Sequence, residues 1–304
     1  MEFHLEVTGD AVRLVHFNLC VALRGAGRDD DALRAALKWL EEAPREPSHN
    51  LIAGAILYDR FMYAEAVPYL EKGLAGGGGD AARGITSDPL RIDCQLADCY
   101  RRTGRPDDAA AIIERVLARD PAQWEARRLA GLLAYARHDF ENAMGTFEAL
   151  LAQRPAAVSA VTNLASTAIA AGDGARALAA IKTHLAAGGD EKTVRLLRAR
   201  ALSATGDHHG AVASAATILV LAPEPESDEV FLVLANSLSR AGHPDIARPF
   251  LERYQQGAAM RSELERAATA ARMGSLSSSA YYRGRAYARA GRPGRISSIW
   301  SLTL

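Results

Sequence analysis

Apolar and small residues recur along the chain with the spacing of paired amphipathic helices, and a turn residue separates the two helices of each pair. Glycine occupies this turn position at Gly27, Gly104, Gly172, Gly206, Gly242 and Gly291. Phe61 and His138 occupy it in two further pairs. The steps between the eight turns are 34, 43, 34, 34, 34, 36 and 49 residues. A nearly fixed period of this length indicates stacked helix–turn–helix units.

Two columns of small residues predict where the paired helices cross, because helices approach closely only where side chains leave room. The first column lies seven residues before each turn and comprises Cys20, Gly54, Ala97, Gly131, Ala165, Ala199, Ala235 and Gly284. The second lies five residues after each turn and comprises Ala32, Ala66, Ala109, Ala143, Ala177, Ala211 and Ala247, with Ile296 in the last unit.

Larger apolar residues continue the second column along the same helix. Nine residues after the turns come Ala36, Leu70, Ile113, Phe147, Ile181, Ala215, Leu251 and Trp300. Thirteen residues after the turns come Leu40, Leu74, Leu117, Leu151, Leu185 and Leu219. These offsets differ by four, so the columns predict one buried face on each second helix. Proline follows at Pro44, Pro121, Pro155 and Pro223 and ends the unit, since it cannot continue a helix interior.

With these columns the chain resembles the tetratricopeptide repeat family, most closely between Trp124 and Pro155, where Gly131, Ala143 and Phe147 fall in the expected places. The resemblance implies an all-α fold, a right-handed superhelical solenoid of about eight repeats in a single domain, residues 1–304. The predicted repeats are residues 13–46, 47–80, 90–123, 124–157, 158–191, 192–225, 228–261 and 277–304.

The two longest steps between turns predict insertions. Residues 76–89 begin with four glycines and end in a proline, which predicts a loop. Ser262 to Glu265 form a capping-box pattern, which predicts an extra helix near 263–273, either added or as an extension of the preceding one. The final unit is rich in arginine and is either an end cap or a binding surface.

The balanced charge of the chain disfavours a general nucleic-acid or membrane-surface binder. Lys+Arg and Asp+Glu each number 36, and 49% of the residues are hydrophobic. Nucleic-acid binders usually carry a basic excess. The three cysteines are typical of a reduced compartment, and the first residues do not resemble a signal peptide, so we expect a cytoplasmic protein.

Catalytic and cofactor motifs are not evident in the sequence. The glycine run lacks the lysine and hydroxyl residue of a phosphate-binding loop, and no nucleophile–base motif occurs. We therefore expect a protein that is not an enzyme and that needs neither cofactor nor metal.

The resemblance further implies that the first helices of the repeats line a concave groove that holds a peptide or a partner helix. The groove positions that we predict to bind a partner are Phe17, Arg24, Tyr58, Arg91, Asp98, Arg101, Arg128, Tyr135, Asn163, Arg200 and Asn236. The arginines favour an acidic peptide, because guanidinium groups pair with carboxylates.

These features predict a protein–protein interaction scaffold or adaptor that binds another protein or peptide. An alternative is a peptide-sensing regulatory protein that acts on an output domain in trans. Two other functions are less favoured: an enzyme, and a nucleic-acid binder that uses the arginine-rich final unit. The neutral chain is also compatible with self-association.

Overall fold

The computed structural model describes residues 9–75, 90–221 and 228–272, and within these residues the chain forms fourteen α-helices and no strands. The predicted loop at 76–89 and the last predicted repeat, 277–304, lie outside them. The chain divides into two compact units, Met1–Leu150 and Leu151–Leu304.

In the first unit, each predicted repeat contains one helix pair. The helices are α1 (Gly9–Gly25), α2 (Asp29–Glu42), α3 (Pro47–Asp59), α4 (Tyr63–Ala75), α5 (Leu90–Arg102), α6 (Pro106–Arg119), α7 (Trp124–Ala136) and α8 (Phe140–Gln153), whose last residues pass into the second unit. The first helices α1, α3, α5 and α7 lie side by side in chain order.

The second unit continues the same arrangement. Its helices are α9 (Val158–Ala170), α10 (Gly174–Ala186), α11 (Glu191–Ala204), α12 (His208–Leu221), α13 (Glu229–Arg240) and α14 (Pro244–Arg272). Here the first helices are α9, α11 and α13, and neighbours among them are in contact.

The backbone confirms the predicted turn positions. All five predicted turn glycines in the described residues have positive φ, between 71° and 88°. Phe61 and His138 have φ of 61° and 60°, a left-handed conformation that is uncommon for any residue with a Cβ atom. Helices commonly end on such a residue, which closes the last turn and lets the chain reverse.

The small-residue columns are confirmed as the crossing points. Cys20, Ala97 and Ala165 have no exposed surface, and the alanines of the second column are at most 3% exposed. A Cβ atom built on Gly131 would lie 2.7 Å from the ring of Phe147, which is itself fully buried. The glycine is therefore needed for the two helices to approach this closely.

The last described helix differs from the sequence prediction in the position of its buried face. Leu251 is 40% exposed, whereas Phe250 and Tyr254 pack against the core around Phe231. Pro249 lies inside this helix and cannot donate a backbone hydrogen bond, and the buried face is shifted by one residue beside it. Residues 263–272 continue α14 and do not begin a separate helix, so the predicted extra helix is an extension of the preceding one.

Candidate functional site

The first helices α3, α5 and α7 place several predicted groove residues together in the first unit. In α3 every residue from Ser48 to Leu57 is buried, and in α5 every residue from Ile92 to Tyr100 is buried. The predicted groove residues Tyr58, Asp98 and Arg101 lie within or directly beside these buried stretches.

Asp98 lies at the centre of this polar group and is only 2% exposed. Its Oδ1 accepts hydrogen bonds from Nε and Nη2 of Arg101, at 2.9 and 2.6 Å. Its Oδ2 accepts from the Tyr58 hydroxyl at 3.1 Å and from Nε of Arg102 at 3.0 Å. Because buried carboxylates are costly unless paired, these four bonds are what allows an acid at this depth.

The surroundings shift both ionisable groups in the directions expected from these bonds. Burial alone would raise the pKa of Asp98, but the charges and hydrogen bonds of Arg101 and Arg102 outweigh it and lower that pKa below its ordinary value. Burial, followed by the charge of Asp98, raises the pKa of Tyr58 well above its ordinary value. Tyr58 is therefore a neutral donor and Asp98 a charged acceptor at neutral pH.

Arg128 on α7 adds a third guanidinium that is held by a carboxylate beside this group. Its Nε donates to Oε2 of Glu125 at 2.9 Å and its Nη2 donates to Oε1 of the same carboxylate. Burial alone would lower the pKa of Arg128. The hydrogen bond and charge of Glu125, followed by the charge of Asp98, outweigh burial and raise that pKa above its ordinary value. We call Tyr58, Asp98, Arg101, Arg102, Glu125 and Arg128 the arginine cluster.

The other predicted residues of the first unit lie apart from the arginine cluster. Phe17 is half-buried and its ring lies edge-on to His49, with 6.4 Å between ring centroids. Arg24 forms an ion pair with Asp59 at the end of α3. Arg91 is exposed at the start of α5. Tyr135 is 39% exposed on the last turn of α7, with its ring 5.7 Å from that of Phe140.

The remaining three predicted residues belong to the second unit. Arg200 and Asn236 line a cavity of about 250 Å³ between the first helices, and Nη1 of Arg200 lies 3.3 Å from Oε1 of Glu229. Asn163 is half-buried, and its Nδ2 is buried with no hydrogen-bond partner among the described residues. The second unit thus carries a smaller polar site of mixed character.

The sequence prediction omitted two charged members of the arginine cluster. Arg102 binds Asp98 from one turn further along α5, and its guanidinium lies 4.7 Å from the ring centroid of Tyr63. Glu125 holds Arg128 from the preceding turn of α7. The spacing of three and four residues between these acids and arginines was a signal for both pairs.

A larger cavity of about 550 Å³ lies elsewhere in the first unit, between α4, α5 and α6. It contains none of the predicted site residues. Two of its acids are bound by neighbouring side chains: Arg115 donates to Asp93 at 2.7 Å, and the Tyr100 hydroxyl donates to Glu71.

Neither a metal cluster nor a membrane helix is found in the described part of the chain. No three His, Cys, Asp or Glu side chains there are grouped so that they could hold a metal ion. None of its helices has the length and apolarity needed to span a bilayer.

Comparison with known proteins agrees with this architecture. Three models of the family described as tetratricopeptide repeat match residues 94–158, 134–201 and 193–217. No match was found among curated proteins.

Two solved structures have a similar fold. A tetratricopeptide repeat protein from Parabacteroides merdae ATCC 43184 is 15% identical, with a TM-score of 0.54, over 84% of this chain and 98% of that protein. PilW, described as a widely conserved type IV pilus biogenesis factor, is 19% identical, with a TM-score of 0.59, over 75% of this chain and 98% of that one.

Proposed function

Because this chain belongs to the tetratricopeptide repeat family, we propose that it is an adaptor whose first helices bind a peptide segment of a partner protein. The fold is one that supports protein–protein interaction scaffolds, and proteins of this family bind other proteins or peptides. Repeat proteins of this kind are typically not enzymes.

The arginine cluster is the observation that carries the proposal. Its side chains come from three successive first helices and are held in fixed positions by one another. Side chains that are ordered before binding lose little conformational entropy when a ligand arrives. Tyr58 on α3 and Tyr135 on α7 add aromatic rings to the helices that carry the cluster. Tyrosine and arginine are enriched among the interface residues that contribute most binding energy.

The reduced state of the cysteines supports a cytoplasmic location for this adaptor. Cys20, Cys94 and Cys99 are all buried thiols. Cysteines that remain thiols are typical of reducing compartments.

Site-specific crosslinking tests the proposal. A photoreactive p-benzoylphenylalanine replaces Tyr135 on the last turn of α7 or, as a control, the exposed Arg119 on the second helix α6. We expect a crosslink to a partner segment from the first position only, and we expect a synthetic peptide of that segment to bind the purified chain. Equal crosslinking from both positions, or a segment that does not bind as a peptide, would refute the assignment of the first helices.

A further inference from the structure

We propose that the outer face of α1 binds the same face of a second copy of this chain, so that two copies associate about a two-fold axis. This face consists of the exposed residues Leu14, Val15, Asn18, Leu19, Val21 and Ala22. The inference goes beyond the proposed peptide binding and does not depend on it. It follows from the register of the repeats and from the chemistry of these residues.

Two positions of the first helix are buried in all six of the later first helices that the structure describes. Twelve residues before the turn, the side chains are at most 1% exposed: His49, Ile92, Ala126, Ala160, Val194 and Val230. The position five residues before the turn is at most 5% exposed in the same six helices. The two positions are seven residues apart, so they lie on one stripe of the helix.

The preceding repeat covers this stripe. At the first position, the ring of His49 on α3 stacks on that of Trp39 on α2, with 5.5 Å between centroids. At the second, the hydroxyl of Ser237 on α13 donates to that of Ser203 on α11 at 3.2 Å. The stripe is therefore the surface through which one repeat stacks on the repeat before it.

The corresponding stripe of α1 is exposed. Its residues at the two positions are Val15, which is 66% exposed, and Ala22, which is also exposed. Beside them, Leu14 and Leu19 are 57% and 47% exposed. The end repeats of solenoid proteins usually present a polar outer face. The first described helix instead presents an apolar stacking surface that needs a cover.

The residues of the outer face are suited to a copy of themselves. None of the exposed residues from Leu14 to Ala22 is charged, so a partner of either charge finds no opposite charge there. Two copies of a neutral face meet without repulsion, and the balanced charge of the whole chain does not oppose their approach. The amide of Asn18 both donates and accepts hydrogen bonds, so the same amide of a second copy satisfies it across a two-fold axis.

The size of the face predicts weak association. Helix α1 has 17 residues and is therefore about 25 Å long. A contact along one such helix buries less than the roughly 1,200 Å² of a stable complex. We therefore expect a dimer that forms at micromolar concentrations and dissociates on dilution.

Sedimentation velocity of the full chain tests the association between about 1 and 100 μM, the range expected for a small interface. We expect the fraction of dimer to rise across this range. Leu19→Glu places like charges against each other and should weaken association at least about tenfold. The matched control is Val158→Glu, because Val158 at the start of α9 is 46% exposed, and it should leave association unchanged.

A mixture of two variants tests whether the face meets itself. Leu19 lies near the middle of the outer face, so the two copies of this residue come close about a two-fold axis. Leu19→Lys should also prevent association on its own. An equal mixture of Leu19→Glu and Leu19→Lys should associate again, because opposite charges then meet. Thermal unfolding by circular dichroism checks that the variants are folded.

Four outcomes would overturn the inference. The original chain could remain monomeric at about 100 μM, which needs no variant to establish and would leave the face to a different protein. Leu19→Glu could associate like the original chain, Val158→Glu could disrupt the dimer equally, or the mixture could stay monomeric. A crosslink from position 135 would still support the adaptor function in each case, so the two proposals fail separately.

Discussion

Replacing Gly54 with alanine tests the close approach of α3 and α4. A Cβ atom at this position would lie 2.7 Å from both Cγ and Cδ2 of Leu70 and 3.1 Å from its backbone nitrogen. Leu70 is fully buried, so its side chain has no free space into which to rotate. Ordinary carbon contacts are about 3.5–4.0 Å, so the two helices must separate by roughly 1 Å.

Two opposing terms set the expected size of the effect. Overpacking a buried site costs about 1–3 kcal/mol. Glycine in a helix interior is less favourable than alanine by about 0.5–1 kcal/mol, which the substitution regains. We therefore expect Gly54→Ala to lower the free energy of unfolding by about 1 kcal/mol, within a range of about 0–2.5 kcal/mol.

Gly145→Ala provides the matched control. Gly145 also lies inside a helix, α8, but is exposed, and a Cβ atom there would meet nothing within 4 Å. The same propensity gain then acts alone, and we expect stabilisation by about 0.5–1 kcal/mol. The difference between the two variants isolates the packing cost.

Urea unfolding, followed by circular dichroism and tryptophan fluorescence, measures both variants. Trp39 is a local probe, because its ring stacks on His49 of α3 with 5.5 Å between centroids. If Gly54→Ala stabilises the protein as much as Gly145→Ala does, the column of small residues does not mark a helix crossing and the reasoning is refuted.

Three further predictions follow from single residues. Gly104→Ala should cost about 1 kcal/mol in urea unfolding because φ is 81° there, although a Cβ atom would meet no neighbour; an unchanged midpoint would contradict this. The pKa of Asp98 is lowered in the folded state, so the stability that the charged Asp98 contributes is present above the unfolded pKa of about 4 and is lost as pH falls through the lower folded pKa. Asp98→Asn should therefore reduce the fall in the urea midpoint between about pH 4 and pH 2. An identical pH profile for the variant and the original protein would contradict this prediction. Burial, followed by the charge of Asp98, raises the pKa of Cys99 to about 12, so iodoacetamide at pH 8 should leave this thiol unmodified in the native protein and alkylate it in urea, as mass spectrometry would show; rapid native alkylation would contradict the burial.

The sequence was sufficient to predict the helix pairs, because their constraints act on one residue at a time. A helix crossing excludes any large side chain at Gly131, and a reversal of the chain requires a left-handed residue. The spacing to neighbouring turns predicted turns at Phe61 and His138 although neither is glycine, and both residues have the left-handed backbone conformation.

The arginine cluster could be predicted only in part, because its geometry depends on several helices together. The repeat placed Asp98 and Arg101 on the first-helix face, but the hydrogen bond from Tyr58 to Asp98 requires α3 and α5 to adjoin with particular rotamers. The sequence left open whether residues 263–273 form an added helix or extend the preceding one. A capping-box pattern at Ser262 is a local signal, whereas continuation of a helix depends on its whole length.

Two adjacent positions of the first helices differ in how strictly the repeat restricts their residue type. The position seven residues before each turn holds only small residues, and all of its described members are buried. The position six residues before each turn varies widely: Val21, Ala55, Asp98, Leu132, Ser166, Arg200 and Asn236. Burial at this position also differs between repeats: Asp98 is buried, Arg200 is half-buried and Asn236 is exposed. The helix crossing therefore does not fix the residue type here, and the buried, hydrogen-bonded acid Asp98 distinguishes the third repeat from the others.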